Sequence, residues 1–219
     1  LVSLDAEITE NTDNWVRRLT ASAGEPVIRA AVMQAMKIMG GQYVLGRDIK
    51  EGLKRGAKQN DNNTRFSFDM LGEGARTDAD AQKYLTAYAS AIDNIGKSES
   101  SPERDEATDV NSANGISVKL SALHPRYYFA QYDLVMTELL PRIKQLCVQA
   151  AKYNIGLSID AEEAYRLDIS MDIFEILAKD KDLDGWQGLG FVLQAYQKRA
   201  PDTAKWLIGL AREANRRLM

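Results

Sequence analysis

Four short apolar runs each end in, or carry near their end, a polar or ionisable residue: Phe66–Leu71 with Asp69, Ile116–Leu120 with Lys119, Gly156–Asp160 with Asp160, and Gly190–Gln194 with Gln194. A lysine in such a run points either to solvent or into a shared site. In a site it can anchor a carboxylate or act as a Schiff-base nucleophile. An acid closing an apolar strand is costly unless it is paired, and Lys119 is a suitable partner for Asp160. Gln194 offers donors and an acceptor on one amide, which suits the edge of a heterocycle or the backbone of its own loop.

Other residue types carry weaker signals. Asp69, Glu73, Asp160 and the lone His124 could ligate a metal, but they lack close ligand spacing, and the reading is no metal. Glu162 and Glu163 follow Asp160 and Ala161, where they suit the acidic first turn of a helix. Cys147 lies in the apolar helical series Leu139, Ile143, Leu146, Cys147, Ala150, as a buried inert thiol would. Gly72-Glu73-Gly74 and Gly188-Leu189-Gly190 are too short to be dinucleotide or P-loop phosphate cradles.

The elements that must position these residues alternate. Strand-like runs are separated by helical ones, the pattern of parallel βα units whose strand ends converge on one face. Thr77 or Asp78 caps a helix with its apolar face at Tyr84, Tyr88, Ile92 and Ile95. Asp133–Tyr153 reads as helix, started or kinked by Pro141. Ile169–Ala178 and Asp202–Arg217 follow the third and fourth strands. Gly96–Gly115, rich in Ser, Asn, Asp and Glu, reads as an exposed excursion. The first sixty residues read as helical, with Trp15, Leu19, Val27, Val32, Met36 and Met39 as a core-packing stripe. The expected division is a helical arm over 1–63 and an α/β part over 64–219. A closed barrel has about eight units, so four units predict a half-barrel with two unpaired sheet edges, and self-association through those edges is a rival, non-catalytic reading.

Composition sets the class. The 219 residues are 45% hydrophobic and 27% charged with net charge −3, an ordinary globular balance without the basic stripe of a nucleic-acid binder. One cysteine excludes an internal disulfide and fits a reducing compartment. No run approaches the roughly 18 apolar residues of a membrane span, and the first residues lack a secretory pattern. The expected location is cytoplasmic.

Together, Phe66-Ser67-Phe68-Asp69-Met70-Leu71-Gly72-Glu73, Ser117 through Tyr127, Asp160-Ala161-Glu162-Glu163-Ala164 and Gln194-Ala195-Tyr196-Gln197-Lys198-Arg199 resemble the flavin-dependent proline dehydrogenase domain of bacterial proline utilisation A. Met39-Gly40 and Gln42 through Gly46 resemble that family's helical arm. The resemblance implies a distorted (β/α)8 barrel of TIM type holding FAD. It implies oxidation of L-proline to 1-pyrroline-5-carboxylate, with electrons passed to a quinone at the inner membrane. It also implies a fused aldehyde dehydrogenase domain in the parent protein. Lys119 matches the lysine that holds the substrate carboxylate, and Asp160 a motif aspartate of the same pocket on the substrate and cofactor side. Asp69 matches a residue beneath the substrate, and Glu73 a glutamate that pairs with a substrate-binding arginine and gates the site. Gln194 and Tyr196 match the flavin side. Tyr165 departs from the aspartate expected after Ala164, a change expected on the surface of a helix. The family's later strand with flavin-contacting basic residues, and its late helix with paired arginines, have no counterpart in these 219 residues, so the chain alone is expected to be inactive.

Overall fold

A computed structural model describes residues 25–59, 64–72, 74–100 and 109–219. The chain divides into two compact units, Leu1–Arg47 and Asp48–Met219. Trp15 and Leu19 lie outside the described residues.

In the first unit, residues 25–43 form helix α1. Its Val27, Val32, Met36 and Met39 are exposed, not core residues. Among the described residues of that unit, α1 has no second layer to bury an apolar stripe against.

The second unit begins with α2, Ile49–Gln59, which the sequence reading assigned to the arm. The helix sits with the sheet because its glycines admit aromatic rings: the Gly52 Cβ position is 3.4 Å from the Phe68 ring and that of Gly56 is 3.2 Å from Phe66. The compact unit that bears the sheet starts at Asp48. Strand β1, Ser67–Asp69, leads to α3, Asp78–Glu99. Thr77 caps α3 in a reciprocal capping box: its hydroxyl accepts the Asp80 N–H at 3.1 Å, and the Asp80 carboxylate accepts the Thr77 N–H at 3.0 Å. The Thr77 hydroxyl also donates to Asp80 Oδ2 at 2.9 Å, and this bond, with the Thr77 N–H, lowers the Asp80 pKa.

The expected excursion from Gly96 is partly structured. Residues 96–99 are the last turn of α3, and Gly96 is buried. Val110–Ser112 form a 3-10 turn that buries Val110. The Asn114 side chain then ties this segment down, accepting from Phe66 N at 2.8 Å and donating to Glu99 at 2.6 Å.

After β2, Gly115–Val118, come α4, Tyr132–Leu134, a π-helical turn, Val135–Leu139, and α5, Leu140–Lys152. Pro141 falls in the first turn of α5, where its missing N–H is tolerated, and the π turn takes up the change of register before it. Strand β3, Leu157–Ile159, leads to α6, Leu167–Ala178, and β4, Leu189–Phe191, to α7, Ala200–Glu213. Helices α5 and α7 end alike. Asn154 and Asn215 take positive φ, 49° and 47°. The following N–H groups reach back, Ile155 to Ala150 at 3.2 Å and Arg216 to Ala211 at 2.9 Å. This is the Schellman closure with Asn in place of Gly.

The four strands are parallel in the order β1-β2-β3-β4. Register aligns Phe68, Ile116, Leu157 and Leu189 in one row, and Val118, Ile159 and Phe191 in another. All of these are buried. The alternate row, on the opposite face, is Asp69, Ser117, Ser158 and Gly190. One further residue is paired to the sheet. Met219 donates to Leu189 O at 3.0 Å and accepts from Phe191 N at 3.1 Å, the pattern of a parallel partner opposite Gly190. The far edge of β4, expected to be unpaired, therefore carries Met219.

Candidate functional site

The strand ends gather the charged residues. Asp69 is the last residue of β1, Lys119 follows β2, and Asp160 follows β3. The alternation of side chains puts all three on the face opposite the buried rows. The Lys119 ammonium lies 2.7 and 2.8 Å from the two Asp69 oxygens and 2.7 Å from Asp160 Oδ2. Asp160 Oδ1 accepts the Ala161 N–H at 2.9 Å. Burial acts to lower the Lys119 pKa, but the hydrogen bonds it donates to Asp160 and Asp69 outweigh it and the net shift is upward. A Schiff-base lysine needs a neutral amine, and this one is held as ammonium.

The backbone of Lys119 is fixed as well. Its N–H donates to the hydroxyl of Tyr88, on α3, at 3.3 Å. Tyr88 is fully buried, and burial pushes its phenol up to about 12.

A second set of contacts lies two residues along. Ser121 N donates to Glu162 Oε2 at 3.2 Å, Ser121 O accepts from Ala75 N at 2.9 Å, and Ser121 Oγ accepts from Gly74 N at 3.3 Å. One buried serine thus joins the loops that follow β1, β2 and β3. Glu162 is not a solvated first-turn acid: its side chain is only 9% exposed and burial raises its pKa. Arg166 pairs with Glu162 at 3.3 Å and with Glu163 at 3.0 Å. The Arg166 guanidinium lies 5.3 Å from the ring centres of Tyr127 and Tyr128 and 5.4 Å from that of Tyr165, a cation–π enclosure. Tyr165 is exposed on the 3-10 helix Ala164–Arg166, which leads directly into α6.

Gln194 sits three residues beyond β4, in a loop. Its Oε1 accepts from Tyr196 Oη at 2.8 Å and from Gln197 Nε2 at 2.6 Å. The carbonyl therefore serves its own loop, while the amide nitrogen stays uncommitted among the described residues. Gln194, Tyr196, Glu162, Glu163 and Arg166 line an open hollow of about 590 Å³, within the size range of small-molecule and cofactor sites. Tyr196 is exposed, its ring available to a ligand. Glu73 lies outside the described residues.

The remaining candidates are accounted for structurally. His124 is buried, with Nε2 3.1 Å from Glu138 and Nδ1 accepting from Arg126 N at 3.2 Å. Cys147 is buried, which pushes its thiol up to about 12. Among the described residues no group of three or more His, Cys, Asp or Glu could hold a metal, and no helix is long and apolar enough to cross a membrane.

Sequence reasoning missed Tyr88, Ser121, Tyr127 and Arg166, and undervalued Glu162. The one available signal was the i, i+4 spacing of Glu162 and Arg166 directly after a strand-end acid.

A parallel βα sheet with an ionised lysine clasped by two strand-end aspartates defines an α/β protein that gathers charged residues at the carboxyl ends of its strands. The sequence profile described as proline dehydrogenase matches residues 52–219. The chain belongs to the proline dehydrogenase family, a family of oxidoreductases. It is 50% identical over 204 residues to the bifunctional protein PutA of Klebsiella aerogenes and 49% identical over 204 residues to that of Escherichia coli K12, covering 93% of this chain in each case. A crystal structure of a Bradyrhizobium japonicum proline utilization A (PutA) mutant superposes with TM-score 0.73 at 45% identity over 92% of this chain. One of PutA from Bdellovibrio bacteriovorus, inactivated by N-propargylglycine, has TM-score 0.78 at 20% identity over 88% of the chain, a likeness of fold. The chain spans about 15% of the length of these two curated relatives and about 20% of the solved Bradyrhizobium chain.

Proposed function

We propose that this chain contributes part of the active-site wall of an FAD-dependent enzyme that oxidises L-proline to 1-pyrroline-5-carboxylate and passes the electrons to a quinone at the membrane surface. The observation that carries the reading is the Lys119 clasp between Asp69 and Asp160, in a chain that matches the proline dehydrogenase profile over 52–219. Proline is a zwitterion. The clasp offers one ammonium for its carboxylate and two carboxylates toward its secondary ammonium, all as charge-assisted contacts. The three Lys119 N–H donors are already committed to three carboxylate oxygens. A substrate carboxylate must therefore displace one of them. Asp69 is the one that yields: its side chain is 45% exposed against 21% for Asp160, and it holds two contacts where Asp160 holds one. Glu73 is assigned the gating role by resemblance to the family.

The amide nitrogen of Gln194 and the ring of Tyr196 fit the edge and face of a flat heterocycle, so these two residues would hold the flavin at the open hollow. FAD, when bound, supplies the hydride acceptor. Fusion to an aldehyde dehydrogenase domain in the parent protein belongs to the same reading, as does cytoplasmic placement against the inner membrane.

The test compares the 219-residue chain with the whole product of its reading frame. The whole product should carry FAD and reduce a dye with L-proline, Lys119→Ala should abolish that reduction, and the 219 residues alone should be colourless and inactive. A flavin-loaded whole product that leaves proline untouched refutes the assignment. Light scattering on the 219-residue chain tests the rival scaffold reading, which requires self-association.

A further inference from the structure

Two layers of contacts span the loops after β1, β2 and β3. The first is ionic, Asp69–Lys119–Asp160. The second is the Ser121 junction, which binds Gly74 and Ala75 on one side and Glu162 on the other. We propose that Glu162 and Ser121 are positioning residues that hold the Lys119 loop at the angle the ionic layer needs, and that Arg166 acts through Glu162. The inference deepens the proposed proline site and rests on Lys119 being its substrate-facing cation.

Three observations support it. Lys119 and Ser121 are separated by Leu120 alone, which is fully buried, so a shift of one moves the other. Asp160 and Glu162 are likewise separated by one residue on the facing loop, so both layers join the same two loops. Glu162 is also kept in a buried place that disfavours its charge. That burden is partly offset by the hydrogen bonds from Ser121 and by Arg166, itself enclosed by Tyr127, Tyr128 and Tyr165. A carboxylate needed only for solubility or helix capping would not be enclosed in this way.

The test reads the local state of Lys119 without proline or flavin, so its failure is separable from failure of the functional assignment. The full 219-residue chain is reductively methylated under limiting reagent and the extent at Lys119 is followed by peptide mass spectrometry. Cys147, fully buried, reports integrity of the fold through its rate of thiol labelling. Glu162→Ala, which removes the acceptor of the Ser121 N–H, should speed modification of Lys119 about tenfold, the scale of a lost hydrogen bond to a charged group, with Cys147 unchanged. Glu162→Gln, which keeps an acceptor oxygen, should stay within about twofold of the parent on the same argument. An unchanged Lys119 rate in Glu162→Ala, a parallel rise at Cys147, or a Glu162→Gln protein as reactive as Glu162→Ala overturns the proposal. Should Glu162→Ala not fold, Arg166→Met is judged by the same Lys119 and Cys147 criteria.

Discussion

The backbone N–H of Lys119 is donated to the Tyr88 hydroxyl, 3.3 Å away. Helix α3 therefore anchors from below the residue whose ammonium β1 clasps from the side through Asp69. Main chain and side chain of one lysine are held by two successive elements, and neither hold depends on a ligand. Tyr88→Phe keeps the ring and removes the acceptor. It should lower unfolding stability by about 1–2 kcal/mol, the penalty of leaving a part-buried N–H unmade, as measured by urea denaturation.

The Lys119 clasp gives a pH signature. Its pKa is raised on folding from 10.5, so the stability it contributes is fully present below about pH 10.5 and is lost as pH rises beyond that through the folded value. Lys119→Met should cost about 1–2 kcal/mol at neutral pH, less than a fully buried pair because Asp69 is nearly half exposed. The difference in Tm between the two proteins should hold steady from neutral pH to about 10 and narrow above it.

Gly96→Ala sets two effects against each other. Alanine gains about 1 kcal/mol of helix propensity over glycine. The added Cβ, however, would lie 2.1 Å from Cγ of the Tyr153 ring. That ring is also held by its hydroxyl, 3.1 Å from Asp93, so it cannot simply swing away. Overpacking should win, with a net loss of about 1–3 kcal/mol in chemical denaturation.

Asn154 closes α5 with φ of 49°. Asn154→Ala should destabilise by about 1 kcal/mol because a Cβ without a local hydrogen-bonding group is disfavoured there, whereas Asn154→Gly should be neutral or slightly stabilising. Thermal melts of the two variants, side by side, read the difference in sign.

What could be read in the sequence follows from what residue types advertise. Asp69, Lys119 and Asp160 stood out because an ionisable group ending an apolar run has few inexpensive explanations, and the parallel register brings all three together. Gln194 was recognised by type but belongs to a loop, since β4 ends at Phe191 and the apolar Val192-Leu193 disguised that end. Ser121 gave no signal, because the contact that makes it a junction is chiefly its backbone, and every residue has one. Helix α2 meets the sheet through Gly52 and Gly56, residues that by themselves promise no packing, so this attachment has no sequence signal. The pairing of Met219 with β4 was hidden for the same reason: a single residue has no periodicity.

The row Asp69, Ser117, Ser158 and Gly190 has a consequence of its own. Apart from the acid at its edge, it contains nothing larger than a hydroxymethyl group. The closeness is measurable: a Cβ on Gly190 would meet Ser158 Oγ at 2.4 Å and Met219 Cβ at 3.1 Å. Below its rim this face therefore offers only two hydroxyls and a glycine, while the charged groups gather at the strand ends. Position 190 behaves as a depth stop, where one methyl group would crowd Ser158 on the neighbouring strand and Met219.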